Sequence, residues 1–324
     1  MKKLLFSIFA LVLMFSLVAC GGNDNGVEEG ETYLPSQLVI ATGGTTGVYY
    51  PLGGGIAQII TNNTDVSATA QTSGGSVENM RLLASNDVEL AFVQNDIADY
   101  AVNGTLMFEG TAVENLQGIA TLYNETIQIV LPDNSTITTV EDLKGKSVSV
   151  GAPGSGVEAN ARQVLEIFGL TFEDLDAEFL NFGDSVSRIQ DGGLDAAFVT
   201  AGAPTAAVTE LSATRGVKLL SLEDDKIEEL IAKYPFYVKD TIPAETYPGV
   251  AETTSVAVKA MLAVSSDLPE DFVYDVTKAL FENQSQLVAI TSRASGIAKE
   301  NALDGLSIDL HPGALKFYQE EGLK

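Results

Sequence analysis

The chain has 324 residues, enough for one large hydrophobic core or two moderate ones, and its 45% apolar content is typical of globular proteins. Its 44 acidic and 18 basic side chains give a formal net charge of −26, which disfavours nucleic acid as a partner because the chain would repel phosphates. One cysteine and one histidine exclude an intrachain disulfide and a Cys/His zinc cluster, and we expect neither a metal nor a cofactor.

The N-terminus has the pattern of an export signal. Lys2 and Lys3 precede an apolar run over 4–19, which is short for a membrane-spanning helix and suits a signal sequence. The run leads into the residues LVAC at 17–20, which resemble the lipobox of bacterial lipoproteins. We therefore predict a lipoprotein signal peptide at 1–19. An ordinary signal peptide followed by an incidental cysteine is the alternative.

Cys20 is the predicted lipidation site, because the lipobox family is cleaved before this cysteine and carries its lipid there. Residues 20–36 are polar and rich in glycine, without a periodic apolar face, and we predict a flexible tether. The two features together predict an extracytoplasmic protein anchored to the cell membrane by lipid.

Strand and helix patterns alternate after the tether. Strand-like runs occur at 37–41, 66–71, 88–94, 147–151, 177–181, 196–200 and 254–263. Helical spacing of apolar residues occurs at 49–61, 76–84, 158–168, 185–190, 269–283 and 312–321. This alternation predicts βα units around a mostly parallel sheet.

The first and middle parts of this body resemble each other. Gly43 and Gly151 each open a glycine-rich turn after a predicted strand, and Phe92 and Phe198 occupy matching strands further along. The offset between the matching positions is nearly constant, which predicts two lobes of similar βα construction. The alternative is that any two βα units look alike, and spacing alone does not assign residues 220–324 to either lobe.

The two glycine-rich turns, at 43–47 and 151–156, are candidate ligand-binding elements because each opens a helix. Free N–H groups at a helix start suit an anion such as a carboxylate or a phosphate. Neither turn matches a P-loop or the dinucleotide pattern G-x-G-x-x-G. A purely structural βα turn is the alternative at each position.

Polar and aromatic residues follow the predicted strands, where ligands bind in open α/β sheets. Of Tyr49 and Tyr50, we expect one ring to face the cleft and the other to pack. Gln94 and Asp96 follow one strand, and residues 200–202 follow its counterpart. Asp96 would either accept a hydrogen bond from an ammonium group or cap the next helix.

The segment TGGTTGVYYPLGG at 42–54 resembles the signature of the TAXI family, the extracytoplasmic solute receptors of tripartite ATP-independent periplasmic (TRAP) transporters. Further stretches are similar to the family in the same order, at 73–83, 142–146, 150–156, 195–198 and 311–314. The resemblance covers residues 38–322. Thr46 departs from the family pattern, in which glycine is common at this position.

The resemblance implies an α/β protein with the type II periplasmic-binding-protein fold, in which two α/β lobes enclose a ligand cleft. The first lobe would comprise 37–124 plus 223–324, and the second 125–222. The pocket residues implied by the family are Thr42, Gly43, Gly44, Thr45, Tyr49, Gln94, Gly154, Ser155, Gly156, Thr200, Ala201 and Gly202.

The resemblance also implies a non-catalytic receptor that delivers a small organic anion or amino acid, similar to glutamate or glutamine, to a TRAP permease. We expect a monomer. The first alternative is a receptor of the same fold serving an ABC importer or a sensor kinase. The others are a hydrolase using Ser155 or Ser76 with His311, the only histidine, and a purely structural lipoprotein.

Overall fold

The computed structural model describes residues 34–324. The predicted signal peptide, the predicted lipidation site Cys20 and most of the predicted tether lie outside this range. Within the range, no helix combines the length and the apolar character needed to cross a membrane.

Strands and α-helices alternate through most of residues 34–324. The strands are β1 (Gln37–Ala41), β2 (Ser67–Gln71), β3 (Leu90–Gln94), β4 (Leu116–Pro132), β5 (Ser147–Ser149), β6 (Asp176–Glu178), β7 (Ala196–Ala201), β8 (Val217–Leu220), β9 (Val238–Ile242) and β10 (Thr253–Ser265). The α-helices are α1 (Tyr49–Asn63), α2 (Ser76–Ala84), α3 (Asn95–Asn103), α4 (Gly156–Ile167), α5 (Phe182–Gln190), α6 (Ala206–Arg215), α7 (Asp224–Lys233), α8 (Glu270–Glu282), α9 (Gln284–Ile290) and α10 (Pro312–Glu320).

The strands and helices predicted from the sequence are confirmed, with bounds that differ by a few residues. Helix α4 begins earlier than its apolar spacing indicates because Ser155 caps it, its Oγ accepting a hydrogen bond from the backbone N–H of Glu158 at 3.1 Å. The long strand β4 was not predicted. Polar residues at 124–126 interrupt its apolar pattern at the point where it leaves one core for the other.

The strands form one continuous sheet in the order β2-β1-β3-β10-β4-β7-β5-β6, with β9 added to β10 and β8 added to β4. Strands β1, β2 and β3 pair in parallel at one end, and β5, β6 and β7 pair in parallel at the other. The sheet is therefore made of two mostly parallel halves, as the βα alternation predicts.

The long strands β4 and β10 belong to both halves of the sheet. They pair antiparallel with each other from Thr126 opposite Ala257 to Leu116 opposite Ser265. The final part of β10 pairs with β3, whereas the final part of β4 pairs with β7 and β8. These two strands are the covalent crossing between the lobes, and the ladder shifts register between Ala260 and Met261.

Helices cover both faces of each half sheet. In the first half, α1, α8 and α10 pack on one face, and α2 and α3 pack on the other. In the second half, α4 and α7 pack on one face, and α5 and α6 pack on the other. Each half thus buries its own apolar core, which is what makes it a separate lobe.

The packing of α7 bears on the lobe boundary. Ile227, Leu230 and Tyr237 lie in the same buried cluster as Val148 and Phe198 of the second lobe. Strand β9 pairs with the first part of β10, on the same side of the crossing. We therefore propose that the second lobe extends from about 125 to about 257, beyond the end at 222 inferred from the resemblance. The first lobe would then be 37–124 plus 258–324.

Gly313 lets α10 pack closely against α8. A Cβ atom at this position would lie 2.2 Å from the backbone oxygen of Glu270 and 2.6 Å from the backbone nitrogen of Tyr274. Because backbone atoms cannot swing aside, we expect Gly313→Ala to lower the free energy of unfolding by about 1–3 kcal/mol in denaturant titrations. Gly54→Ala in α1, where no heavy atom lies within 4 Å, is the matched control. Equal stability of the two variants would contradict this account.

Candidate ligand-binding site

A cavity of about 390 Å³ lies between the two lobes, beside the crossing strands. The first residue of each of four helices lines it: Tyr49 of α1 and Ser76 of α2 from the first lobe, and Gly156 of α4 and Phe182 of α5 from the second. Glu125 of β4 lines it as well. The cavity therefore sits at the carboxyl ends of the parallel strands, where ligands bind in α/β folds.

The four helix starts give the cavity walls a partial positive charge. Each N-terminus carries backbone N–H groups without an acceptor in the helix, and the helix dipole adds about half an elementary charge. Among residues 34–324, no lysine, arginine or histidine side chain lines the cavity. An anionic group entering it would thus be held by backbone N–H groups and hydroxyls rather than by a cationic side chain.

Within the described part of the chain, Glu125 is the one acidic side chain that lines the cavity. The residue is 3% exposed, and its Oε2 accepts a hydrogen bond from the Tyr49 hydroxyl at 2.9 Å. Burial raises the pKa of the Glu125 carboxyl to about 8, although hydrogen bonds from Tyr49 and Gln94 favour the charged form. Without a neighbouring cation this carboxyl is therefore mostly protonated at neutral pH, and a cationic group beside it would favour its ionised form.

Glu125 was not among the predicted site residues. The available signal was a polar stretch, Asn124 to Thr126, between two apolar stretches of what is now strand β4. A buried charge is expensive unless it is paired, so a carboxylate in the middle of a core strand indicates a functional position.

Several neutral polar groups complete the cavity wall. The Oγ1 of Thr200 and the Oε1 of Gln94 are buried without a hydrogen-bond partner. The Oγ of Ser76 accepts a hydrogen bond from the backbone N–H of Gln94 at 3.1 Å, and the Oγ of Ser155 donates one to the carbonyl of Ala152 at 2.7 Å. The two unpartnered oxygens are groups that a polar ligand would satisfy.

The structure brings nine of the thirteen predicted ligand residues to the cavity. These are Gly43, Gly44, Thr45, Tyr49, Gln94, Ser155, Gly156, Thr200 and Ala201. Tyr49 is the aromatic residue that faces the cleft, with its ring 4.8 Å from that of Phe92, whereas Tyr50 is 36% exposed on an outer surface. The remaining four predicted residues do not line the cavity, for reasons that differ.

Thr42 is fully buried, and its Oγ1 donates to the carbonyl of Gln71 at 2.6 Å, so it joins β1 to β2. The carbonyl of Gly154 accepts a hydrogen bond from the backbone N–H of Glu78 at 3.0 Å, which ties the second lobe to the first. Gly202 packs against Arg293, where a Cβ atom would come within 2.7 Å of the arginine side chain. These three residues shape the cleft without lining it.

Asp96 lies in a buried polar network between the lobes. Its Oδ2 accepts a hydrogen bond from the Nδ2 of Asn160 at 3.1 Å, and the same amide donates to the Tyr237 hydroxyl at 2.8 Å. The network continues through Gln163, whose Nε2 donates to the Tyr100 hydroxyl at 3.2 Å. Asp96 and Tyr100 belong to the first lobe and the others to the proposed second lobe, so Asp96 acts in lobe contact rather than at the cavity.

Asp96 should make the stability of the protein depend on pH. Burial raises the pKa of its carboxyl to about 7, so the folded protein keeps a proton that the unfolded chain releases near pH 3.8. Stability is therefore lost as the pH rises from 4 to 7. We expect Asp96→Asn to gain stability relative to the parent between pH 5 and pH 8 in denaturant titrations. Asp65→Asn, at an exposed position, is the control, and parallel pH profiles for Asp96→Asn and the parent would contradict the expectation.

His311 is 1% exposed and caps α10. Its Nδ1 accepts from the backbone N–H of Gly313 at 3.1 Å, so Nε2 donates to the carbonyl of Leu268 at the same distance. The only histidine of the chain is thus absent from the cavity that contains Ser76 and Ser155. His311 therefore does not lie where it could act as the general base that the hydrolase alternative assigned to it.

The NMT1-like family model matches residues 40–322, which is most of the chain. The chain belongs to the NMT1-like family. Three solved structures are similar to it throughout. PhnD1 from Prochlorococcus marinus, in complex with methylphosphonate, is 11% identical with a TM-score of 0.55, and the match covers 90% of this chain and 100% of that one.

A putative L-cystine ABC transporter from Listeria monocytogenes is 14% identical with a TM-score of 0.52, covering 81% of this chain and 97% of the other. The GluR0 ligand-binding core in complex with L-glutamate is 11% identical with a TM-score of 0.50, covering 82% and 98%. These likenesses confirm the predicted fold class for this NMT1-like protein: a mixed α/β periplasmic-binding-protein fold with two lobes and a cleft.

Proposed function

We propose that this protein is an extracytoplasmic solute receptor that closes its two lobes around one small molecule and delivers it to a membrane permease. The observation that carries the proposal is the cavity itself, built from four helix starts and one buried carboxyl at the junction of the lobes. Such a site binds through hydrogen bonds and electrostatics and needs no catalytic residue. Ligand would bind the closed state more tightly and so favour closure.

The proposed ligand is an amino acid or a closely related molecule with a carboxylate and an amine. The carboxylate would lie at the helix starts, and the ammonium group would face Glu125. A dicarboxylic acid fits less well, because its second carboxylate would meet the Glu125 carboxyl without a cationic side chain lining the cavity to pair with it. This argument narrows the predicted class, a small carboxylate or amino acid, towards ligands similar to glutamine or glutamate.

The proposed partner is a TRAP permease, on the strength of the TAXI-like signature at 42–54. Membrane attachment through Cys20 is part of the same proposal, supported by the lipobox-like sequence before it. An ABC importer remains the second candidate because the similar Listeria structure is named as an ABC transporter. A neighbouring gene for a large fused permease would support the TRAP assignment, whereas a neighbouring ATPase gene would support the ABC assignment.

Thermal unfolding of the purified full-length protein tests the ligand class. The panel comprises amino acids, monocarboxylates and dicarboxylates, added after co-purified ligand has been removed by unfolding and refolding. A ligand at about 100 times its dissociation constant should stabilise the protein by roughly 2.7 kcal/mol, which raises the Tm by several degrees. We expect the largest shift with an amino acid. A larger shift with a dicarboxylate that has no amine, or no shift with any compound, would contradict the proposal.

A further inference from the structure

A second cavity, of about 260 Å³, lies beside the crossing strands and shares no lining residue with the ligand cavity. Residues 121–124 of β4, Lys259 of β10 and residues of the segment 293–301 after α9 line it. We call it the hinge cavity, defined by Tyr123, Lys259 and Arg293. Its lining contains two cationic side chains and no acidic one.

The two cations of the hinge cavity have no acidic partner. Within residues 34–324, neither Lys259 nor Arg293 forms an ion pair, although acidic side chains outnumber basic ones by 44 to 18 in the chain. The Nε of Arg293 is buried and makes no hydrogen bond. A buried donor without an acceptor lowers stability, so the Arg293 guanidinium has a donor that an anionic ligand would satisfy.

Tyr123 adds a third unpartnered group. The residue is 6% exposed and lines the hinge cavity, and its hydroxyl has no hydrogen-bond partner. Its side chain packs beside that of Arg293, since both would crowd a Cβ atom at Gly202. A tyrosine hydroxyl, a guanidinium and an ammonium group are all hydrogen-bond donors. Among the buried side-chain atoms of residues 34–324 that line this cavity without a partner, the Oδ1 of Asn124 is the one acceptor, so donors predominate and lack a shared acceptor.

We propose that the hinge cavity binds a small oxyanion, such as sulfate, phosphate or a carboxylate group, between Arg293 and Lys259. The guanidinium presents two parallel N–H groups that match two oxygens of such an anion, and the ammonium group adds a second charge. The anion would also hold Arg293 against Gly202, which lies in the second lobe directly after Thr200 and Ala201 of the ligand cavity. The site therefore braces the two lobes from the side of the hinge.

Equilibrium dialysis of the purified full-length protein against radiolabelled sulfate at low ionic strength tests the proposal. The parent should bind one saturable equivalent. Lys259→Gln and Arg293→Gln should each weaken binding by about tenfold or more, because each removes a charge-assisted hydrogen bond. Lys324→Gln, which removes one positive charge at the C-terminus, is the matched control and should bind as the parent does. Circular dichroism checks that each variant is folded. If Arg293→Gln does not fold, the binding result for Lys259→Gln decides between the outcomes.

Three results would overturn the proposal. The first is an absence of saturable sulfate binding by the parent. The second is undiminished binding by folded Lys259→Gln and Arg293→Gln, which would place the anion elsewhere, as at the helix starts around Ser155. The third is an equal loss in Lys324→Gln, which would make the effect one of overall charge rather than of a site.

Discussion

Glu125→Gln should weaken the binding of an amine-bearing solute by about 10- to 100-fold at pH 8, measured by isothermal titration calorimetry. In the parent, the ammonium group of the proposed ligand would face a carboxylate that also accepts a hydrogen bond from the Tyr49 hydroxyl at 2.9 Å. Glutamine keeps the size and one acceptor oxygen but removes the charge. The ammonium group would then be buried without a counter-ion, which is a large penalty in a closed cleft.

The proposed contact between the ligand's ammonium group and Glu125 also predicts how the affinity changes with pH. Burial raises the pKa of the Glu125 carboxyl to about 8, so without a neighbouring cation it is mostly protonated at pH 7. A bound ammonium group favours the carboxylate, and binding should release up to one proton per ligand below pH 8. Affinity should therefore rise with pH up to about 8, by as much as tenfold per pH unit. Calorimetry in buffers of different ionisation enthalpy counts the protons.

A ligand that placed an anionic group against Glu125 would show the opposite dependence of affinity on pH. If the protonated Glu125 carboxyl donated a hydrogen bond to an anionic group of the ligand, affinity would fall as the pH rose through 8. Such a fall, or proton uptake on binding, would contradict the amine assignment. In either case the affinity of Glu125→Gln should depend little on pH. This control distinguishes titration of Glu125 from titration of Asp96, whose pKa is also raised.

Gly156→Ala should prevent full closure of the lobes and weaken ligand binding by about 10- to 100-fold. Gly156 begins α4 in the second lobe and approaches Gln94 of the first lobe closely. A Cβ atom at this position would lie 1.9 Å from the Oε1 of Gln94, whose residue is 2% exposed. The added methyl group therefore acts across the cleft, with no clash against the backbone among its closest contacts.

Small-angle X-ray scattering with saturating ligand checks this second prediction. The radius of gyration of the parent should decrease on ligand binding. That of Gly156→Ala should decrease by a smaller amount or not at all. Gly54→Ala, on α1 with no heavy atom within 4 Å of the added Cβ, should behave as the parent does in both affinity and scattering. Unchanged affinity in Gly156→Ala would show that the observed contact with Gln94 does not accompany the ligand-bound state.

The fold was predictable largely because short apolar strands and amphipathic helices leave local patterns. Strand β1 and helix α2 have the bounds that their patterns predict. The crossing strand β4 left a weaker pattern, because its side chains serve two cores and a ligand cavity in turn. The location of α7 in the second lobe depends on which core Ile227 and Leu230 contact, and apolar spacing along a helix carries no such information.

The parts of the cavity formed by local glycine-rich turns were predictable from the sequence. The parts formed by contacts between residues distant in the chain were not. Glycine-rich turns at helix starts predict a ligand-binding role for Gly43, Gly44 and Gly156, and all three line the cavity. Asp96 comes two residues after Gln94, the last residue of β3, yet helix α3 directs its carboxyl towards Asn160 in the other lobe. Glu125 stands in mid-strand, and its approach to Tyr49 joins residues 76 positions apart in the chain.

The most direct test of the central claim is a crystal structure of the full-length protein grown with the compound that gives the largest thermal shift. We predict one molecule in the cavity between the lobes, with its amine within hydrogen-bond distance of Glu125 and its carboxylate at the start of α4 or α2. A compound bound outside this cavity, or one bound within it with a carboxylate against Glu125, would contradict the account.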